Sequence, residues 1–268
     1  MGVLYDQIGC VYNGTRQADP FLLGRLLALL DLPSDARCVD VACGTGNYTR
    51  ALAAHGGHWT ACDISTQMLG VAAQTDSAVR WQQADVLALP FADGQFSAVM
   101  TTLAIHHFPD LAAAFSEVRR VLQVDGKYVL LTAFAEQMQH YWLNHYFPAM
   151  MAKSTAQMPS KAATLAALDA AGFDVLAIEP YSVQPDLQDA FLYSGKYDPE
   201  RYFDPLIRAN ISSFANLIDE TELASGLARL HADIASGQIH THIQAAEHAD
   251  GDYAFLQLRA YESSLRPA

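Results

Sequence analysis

Two periods of apolar positions succeed one another along this chain, and the places where they change over outline its elements. Leu22, Leu23, Leu26, Leu27 and Leu30 recur at helical spacing and predict a helix over Asp19 to Leu30. Arg37 to Ala42 then reads as a short apolar strand, Gly44-Thr45-Gly46 as a tight turn, and Tyr48 to His55 as the start of a second helix. A strand over Trp59 to Cys62 follows, then a helix capped by Ser65 and reaching Gln74, a strand over Val79 to Gln82, and a strand over Phe96 to Thr102. An amphipathic helix from Asp110 to Leu122 turns at Asp125-Gly126 into a strongly apolar strand, Lys127 to Phe134. Ser160 caps a helix to Ala171, Gly172 stops it, and Phe173 to Tyr181 is a sixth strand. Strands alternating with helices in this way predict a parallel, doubly wound α/β sheet. The last strand candidate, Tyr253 to Tyr261, lies beyond a long stretch of helix and loop that carries the turns Asp198-Pro199 and Asp204-Pro205.

The strand-turn-helix junction at Val39-Asp-Val-Ala-Cys-Gly-Thr-Gly-Asn-Tyr-Thr49 is the stretch with the clearest chemistry. Glycines in such a turn let the backbone approach a ligand closely, and a new helix presents unpaired N–H groups. Asp40 adds a carboxylate acceptor for a cationic group. The dinucleotide fingerprint would need glycine where Thr49 stands. Asp63 ends the next strand about 20 residues after the turn, the distance at which a βαβ unit places an acid on a ribose diol. Ile64 and Met68 are placed to wall an adenine ring.

An acid, three residues and Gly-Thr-Gly, followed by that second acid, resemble motif I and its sequel in the class I S-adenosylmethionine (SAM)-dependent methyltransferases, of the small-molecule type grouped with ubiquinone- and menaquinone-biosynthesis enzymes. The resemblance covers about Tyr5 to Tyr181. It implies a Rossmann-like, mostly parallel seven-stranded sheet, SAM as cofactor and S-adenosylhomocysteine (SAH) as product. It further implies a cofactor-binding core, 1–181 with 253–268, with 135–160 contributing to a substrate cap. The stretch 182–252 between strands six and seven lies outside the resemblance; its length and its two Asp-Pro turns imply a helical insertion over the active-site mouth, the rest of the cap. Asp85 of Ala84-Asp85-Val86 would accept the adenine amine while the Val86 backbone reads the ring edge. Ala42, Gly44, Gly46 and Leu103 complete the expected cofactor wall, with Tyr12 and Arg16 from an N-terminal segment that folds over it. The His106-His107 pair resembles the general base of O-methyltransferases; imidazole titrates near neutrality and can take a hydroxyl proton as a methyl group transfers.

Composition narrows the partners. The chain has 268 residues, 51% of them hydrophobic, and 16 basic against 29 acidic residues give a net charge of −13. That charge repels nucleic acid and anionic membranes. No apolar run approaches bilayer length, and the first residues lack a signal-peptide layout, so a cytoplasmic protein is expected, as monomer or homodimer. Cys10, Cys38, Cys43 and Cys62 have no metal-site spacing, and His231, His240, His242 and His248 have no recognisable carboxylate set; no metal is expected. The substrate is expected to be a small, partly aromatic or apolar metabolite. Aromatic and His residues crowd the segment after the fifth strand, where Tyr141, Trp142 and His145 are expected to touch it, together with Tyr5, His107, Tyr193 and Arg208. Tyr197, Tyr202, Phe203 and His240 are further contacts expected from the insertion. Carbon or nitrogen methylation, and SAM or SAH binding without turnover, are the alternatives to O-methylation.

Overall fold

In the computed structural model, which describes residues 15–74 and 78–261, seven strands form one sheet: β1 (Arg37–Val41), β2 (His58–Asp63), β3 (Arg80–Gln83), β4 (Phe96–Thr102), β5 (Leu122–Thr132), β6 (Phe173–Tyr181) and β7 (Tyr253–Ala260). Their order is β3-β2-β1-β4-β5-β7-β6, with β7 antiparallel to β5 and β6 and the remaining pairings parallel. The chain reverses its direction of winding between β1 and β4, and a crevice opens outside the carboxyl ends of strands at such a point.

Helices cover both faces because the strands are apolar on both. Along β1, Cys38 packs with one cluster of buried residues and Val39 and Val41 with the other, the period of two that a strand imposes. The first cluster receives α1 (Pro20–Leu30) and α2 (Asn47–Ala53); the second receives α4 (Leu111–Val121) and α8 (Lys161–Ala171), while α3 (Thr66–Ala72) closes the β2–β3 crossover. Helix starts follow the expected caps: Asp19, Ser65, Asp110 and Ser160 each accept a backbone N–H through their side chains. Gly172 closes α8 in a left-handed conformation.

One boundary differs from expectation by more than about two residues. The fifth strand begins at Leu122, directly out of α4, and not after the Asp125-Gly126 turn. Buried Leu122 pairs with Phe96, and the register then shifts before Ala98 meets Lys127, so Asp125, with φ of 60°, sits within an irregularity of the strand.

Three short helices follow β5: α5 (Ala135–Met138), α6 (Leu143–Tyr146) and α7 (Pro148–Gln157). Between β6 and β7 lie a 3-10 turn at Pro199–Phe203 and α9 (Pro205–Ala209), α10 (Ser212–Asn216), α11 (Glu220–Ser236) and α12 (Ile239–Ala245). Buried Tyr193, Tyr202, Phe214 and Leu230 of this insertion belong to the same cluster as Leu22, Cys38 and Met100, so its helices are built into one core with that face of the sheet. No described helix is long and apolar enough to cross a membrane.

Candidate active site

A cavity of about 590 Å³ opens at the winding reversal, between the carboxyl ends of the strands and the helices that follow β5 and β6. Its floor is the β1–α2 junction. Ala42 and Leu103, just beyond β1 and β4, both carry positive φ, 62° and 52°, in a region that side chains disfavour; both line the cavity. Strain of this kind persists only where surrounding structure enforces it. Here Cys43 N–H donates to the Cys62 carbonyl and Leu103 N–H to the Leu131 carbonyl, which ties both corners to neighbouring strands.

The two glycines of the turn do different work. Gly44, φ 55°, faces open cavity with nothing within 4 Å of where a Cβ would lie. Gly46, φ 69°, does not line the cavity; a Cβ there would stand 2.2 Å from the Trp81 ring. Gly46 is therefore a packing requirement for the β3 neighbour and is corrected from ligand contact to turn geometry. Arg50 pins the turn by donating to the Thr45 and Ala72 carbonyls and to Asn47 Oδ1.

Carboxylates ring this floor. Asp40 is buried; its Oδ2 accepts from Thr49 Oγ1 at 2.5 Å, whereas Oδ1 is buried without a partner. Burial raises its carboxyl to about 7, against the Thr49 bond and with a further push from Asp63. Asp63 accepts from Gly44 N–H through Oδ2 at 2.8 Å and from Ser65 N–H through Oδ1 at 2.9 Å. Each oxygen is thus oriented by backbone and retains lone-pair capacity. Burial raises this carboxyl as well, and the backbone bonds oppose the rise. Asp85 receives Leu87 N–H on Oδ1 and lines the cavity beside Val86.

At the end of β4 a 3-10 turn, Ile105–His107, carries the two histidines to the opposite rim. Their rings lie 3.8 Å apart between centroids, and His106 Nδ1 is buried without a partner. Burial, with His107 adding, pushes His106 down to about 3; burial pushes His107 down to about 4. His107 keeps an exposed edge, so its depression is the more easily relieved. Both rings are neutral near pH 7.

A family profile described as "Methyltransferase domain" matches residues 39–130. Among curated relatives, the malonyl-[acyl-carrier protein] O-methyltransferase of Enterobacter lignolyticus is 34% identical over 113 residues, 42% of this chain and 45% of that protein. The demethylmenaquinone methyltransferase of Bacillus licheniformis is 31% identical over 157 residues, 55% of this chain and 66% of that one. The chain thus spans less than half the length of the first of these relatives. A solved structure from Anabaena variabilis, provisionally named a methyltransferase from an antibiotic biosynthesis pathway, superposes with a TM-score of 0.80 at 30% identity, covering 91% of this chain and 98% of that one. The chain belongs to the class I SAM-dependent methyltransferases. SAM is its cofactor, and its seven-stranded sheet with one antiparallel strand is the expected Rossmann-like architecture.

The methyltransferase cavity suits that cofactor on physical grounds. Asp40 Oδ1 is an orphaned acceptor, Gly44 leaves room for close approach, and Asp63 offers two oriented oxygens. Of the residues expected around the cofactor, Arg16, Asp40, Ala42, Gly44, Asp63, Ile64, Met68, Asp85, Val86 and Leu103 line the cavity; Tyr12 lies outside the described residues. Of the expected substrate contacts, His107 and Tyr141 line it, and Tyr5 lies outside the described residues.

The remaining substrate contacts are corrected. Trp142 is buried away from the cavity, its Nε1 donating to the Lys196 carbonyl. Tyr193 is buried behind Tyr141, stacked on it at 4.0 Å, and its hydroxyl accepts from Trp142 N–H. Arg208 turns back onto the Tyr202 carbonyl, and half-exposed His145 faces Asp233 on α11. Tyr197, Tyr202, Phe203 and His240 also lie off the cavity wall. These side chains are large and amphipathic, and core packing claims them through their rings while their polar tips find carbonyls.

The insertion instead sends Asp189, Phe191, Leu192, Asn210, Ile211, Ser212 and Ser213 to the cavity. Buried Asp189 receives Arg16 Nε at 2.5 Å and the Tyr48 hydroxyl at 3.2 Å. Thr15 and Asp19 add backbone and side-chain bonds to Ala190, Asn210 and Gln188, lacing the N-terminal segment to the insertion. No local motif marks Asp189, and only the folded chain reveals its partners.

Proposed function

We propose that this methyltransferase transfers a methyl group from SAM to a small metabolite, with oxygen as acceptor and with 182–252 and 135–160 as the substrate cap. The observation that carries the proposal is that His106 and His107 open onto the same cavity as Asp40, Gly44 and Asp63. SAM supplies the methyl group on a positively charged sulfur. The chain's own part is to hold an acceptor hydroxyl in line, exclude water, and take its proton on a neutral imidazole. Asp40 and Asp63 orient the cofactor end, and the name of one relative states O-methylation.

The cap wall favours a neutral, partly apolar substrate. Met138, Tyr141, Met158, Phe191 and Ile211 supply apolar surface, and Ser154, Gln157 and Ser213 supply neutral hydrogen-bonding groups. Ser154 and Ser213 hydroxyls meet at 2.8 Å across α7 and α10. Incubation with methyl-labelled SAM and a panel of hydroxylated metabolites, read by mass spectrometry, tests the proposal. Label in an O-methylated product with equimolar SAH supports it; tight cofactor retention with neither product sinks it in favour of a binding protein without turnover.

The depressed histidines also support a second reading. An imidazole pushed down to about 3 is a weak base, and an amine or acidic carbon acceptor needs no strong one. In that case both His→Ala variants turn over undiminished, and the label appears on nitrogen or carbon.

A further inference from the structure

We propose that His145, Asp233 and His242 form a zinc site on the cap, separate from the methyl-transfer cavity. The three residues come from α6, α11 and α12, far apart in the chain, and their ligand atoms all lie within 4.8 Å of one another. His242 Nε2 is 3.5 Å and His145 Nε2 is 4.0 Å from the same oxygen, Asp233 Oδ2. Tetrahedral zinc with bonds of about 2.0 to 2.1 Å sets its ligand atoms roughly 3.3 Å apart, so the set closes on an ion through side-chain shifts of up to roughly 1.5 Å and a turn of the stacked imidazoles that brings their lone pairs together. None of the three lines the methyl-transfer cavity. Of the histidines expected to have no carboxylate set, His242 has Asp233 beside it, a neighbour that local spacing does not show.

The surroundings hold the ligands in aim. Tyr146, fully buried, donates its hydroxyl to Asp233 Oδ2 at 2.7 Å. Its ring meets the His145 ring edge-on at 4.9 Å and the His242 ring edge-on at 5.8 Å, while the two imidazoles stack at 4.1 Å. Arg229, one turn before Asp233, is tied to the Tyr146 carbonyl at 2.5 Å. A tyrosine bonded to a ligating carboxylate and packed on both ligating rings is the supporting arrangement that metal sites use to fix ligand orientation. Two imidazoles and one carboxylate suit zinc, with a fourth position open to water at the exposed His145 edge.

Such an ion has a mechanical consequence. Helix α6 is only four residues long and has no side-chain cap, too short to hold itself. Zinc would staple it to the 17-residue α11 and to α12. Tyr141, on the cavity wall, lies four residues before His145 and just outside α6, so the staple braces the cap behind the substrate compartment.

The experiment uses the full chain without a histidine tag, stripped with chelator and titrated with zinc by calorimetry, with cobalt(II) absorption as a report on coordination. The expected result is one saturable equivalent, a low-coordinate cobalt spectrum, and a zinc-dependent rise in melting temperature. His242→Ala and Asp233→Asn should weaken zinc binding at least about 100-fold and Tyr146→Phe about 10- to 100-fold. Retained SAM binding shows that each variant folds. His140→Ala and His248→Ala, which remove the other cap imidazole pair at 4.2 Å, should leave zinc binding unchanged. Absence of saturable binding overturns the site, as does affinity untouched in both His242→Ala and Asp233→Asn, or loss that follows His140 or His248.

Discussion

The two walls of the cavity are made of different materials. The wall proposed for the cofactor is backbone: two residues forced to positive φ, a glycine turn, and carboxylates whose oxygens are aimed by N–H donors. The wall proposed as the cap is side-chain surface, in which Tyr141 is backed by rings that lie off the cavity: Tyr141 rests on Tyr193, Tyr193 holds Trp142, and Trp142 meets Tyr202 edge-on at 5.6 Å. Backbone geometry tolerates little change, because a Cβ in the wrong place has nowhere to go. Packed rings tolerate volume-conserving exchange, so the cap can be relined while the cofactor wall is kept.

The largest expected effect falls at the rim that joins the two walls. If one of the histidines is the base, His106→Ala or His107→Ala lowers kcat about 10²- to 10⁴-fold with cofactor affinity unchanged, measured by SAH release. An imidazole accepts a proton only above its pKa, and burial holds these near 3 and 4. The rate should therefore stay level as far as this pair is concerned from roughly pH 6 to 8 and fall only on acidification.

On the cofactor wall, Gly46→Ala combines a positive φ with a clash against Trp81. It should cost about 2 to 4 kcal/mol in urea denaturation. Trimming Trp81 to Ala in the same chain should recover part of that loss, a coupling read from a double-mutant cycle. Full additivity of the two changes would show that the Trp81 contact is not what constrains this position.

Asp40 separates binding from stability. In the cofactor-free protein its carboxyl is raised from 3.8 to about 7 by burial. An acid raised on folding stabilises the fold below its unfolded pKa, and that contribution is lost as pH rises through about 7. Asp40→Asn should thus leave stability near pH 4 almost unchanged and raise it by about 1 to 3 kcal/mol at pH 8. SAM affinity should fall at least about 10-fold with the charged acceptor gone. Denaturation at both pH values and calorimetry check the two halves.

The smallest effect is expected in the cap. Trp142→Phe removes the bond to the Lys196 carbonyl but keeps most of the ring volume, costing about 1 kcal/mol with SAM affinity unchanged. A loss of SAM affinity there would break the division between the walls.

The division also explains what the chain discloses before folding. Asp40, Gly44, Asp63 and Asp85 are legible because each stands at a strand end whose position follows from local periodicity and from turn or cap residues beside it. Asp189 and Asn210 were not legible, since nothing near them in the chain distinguishes them from other polar loop residues. Trp142, Tyr193 and Arg208 are expected contacts because they stand in the segments read as the cap, yet a ring or guanidinium takes whichever partner packing brings to it. Gly46 misled in the opposite way, because its motif position suggests a ligand while its neighbour is Trp81.

Sequence by itself determined the alternation of strands and helices, their caps, and the acids and glycine that face the cavity, because these depend on residues within a few positions of one another. Tertiary structure alone decided which side chains of 135–160 and 182–252 reach the cavity, that Arg16 meets Asp189, and that His145, Asp233 and His242 converge. Those pairings join distant segments through packing, and no local spacing encodes where a packed side chain will point.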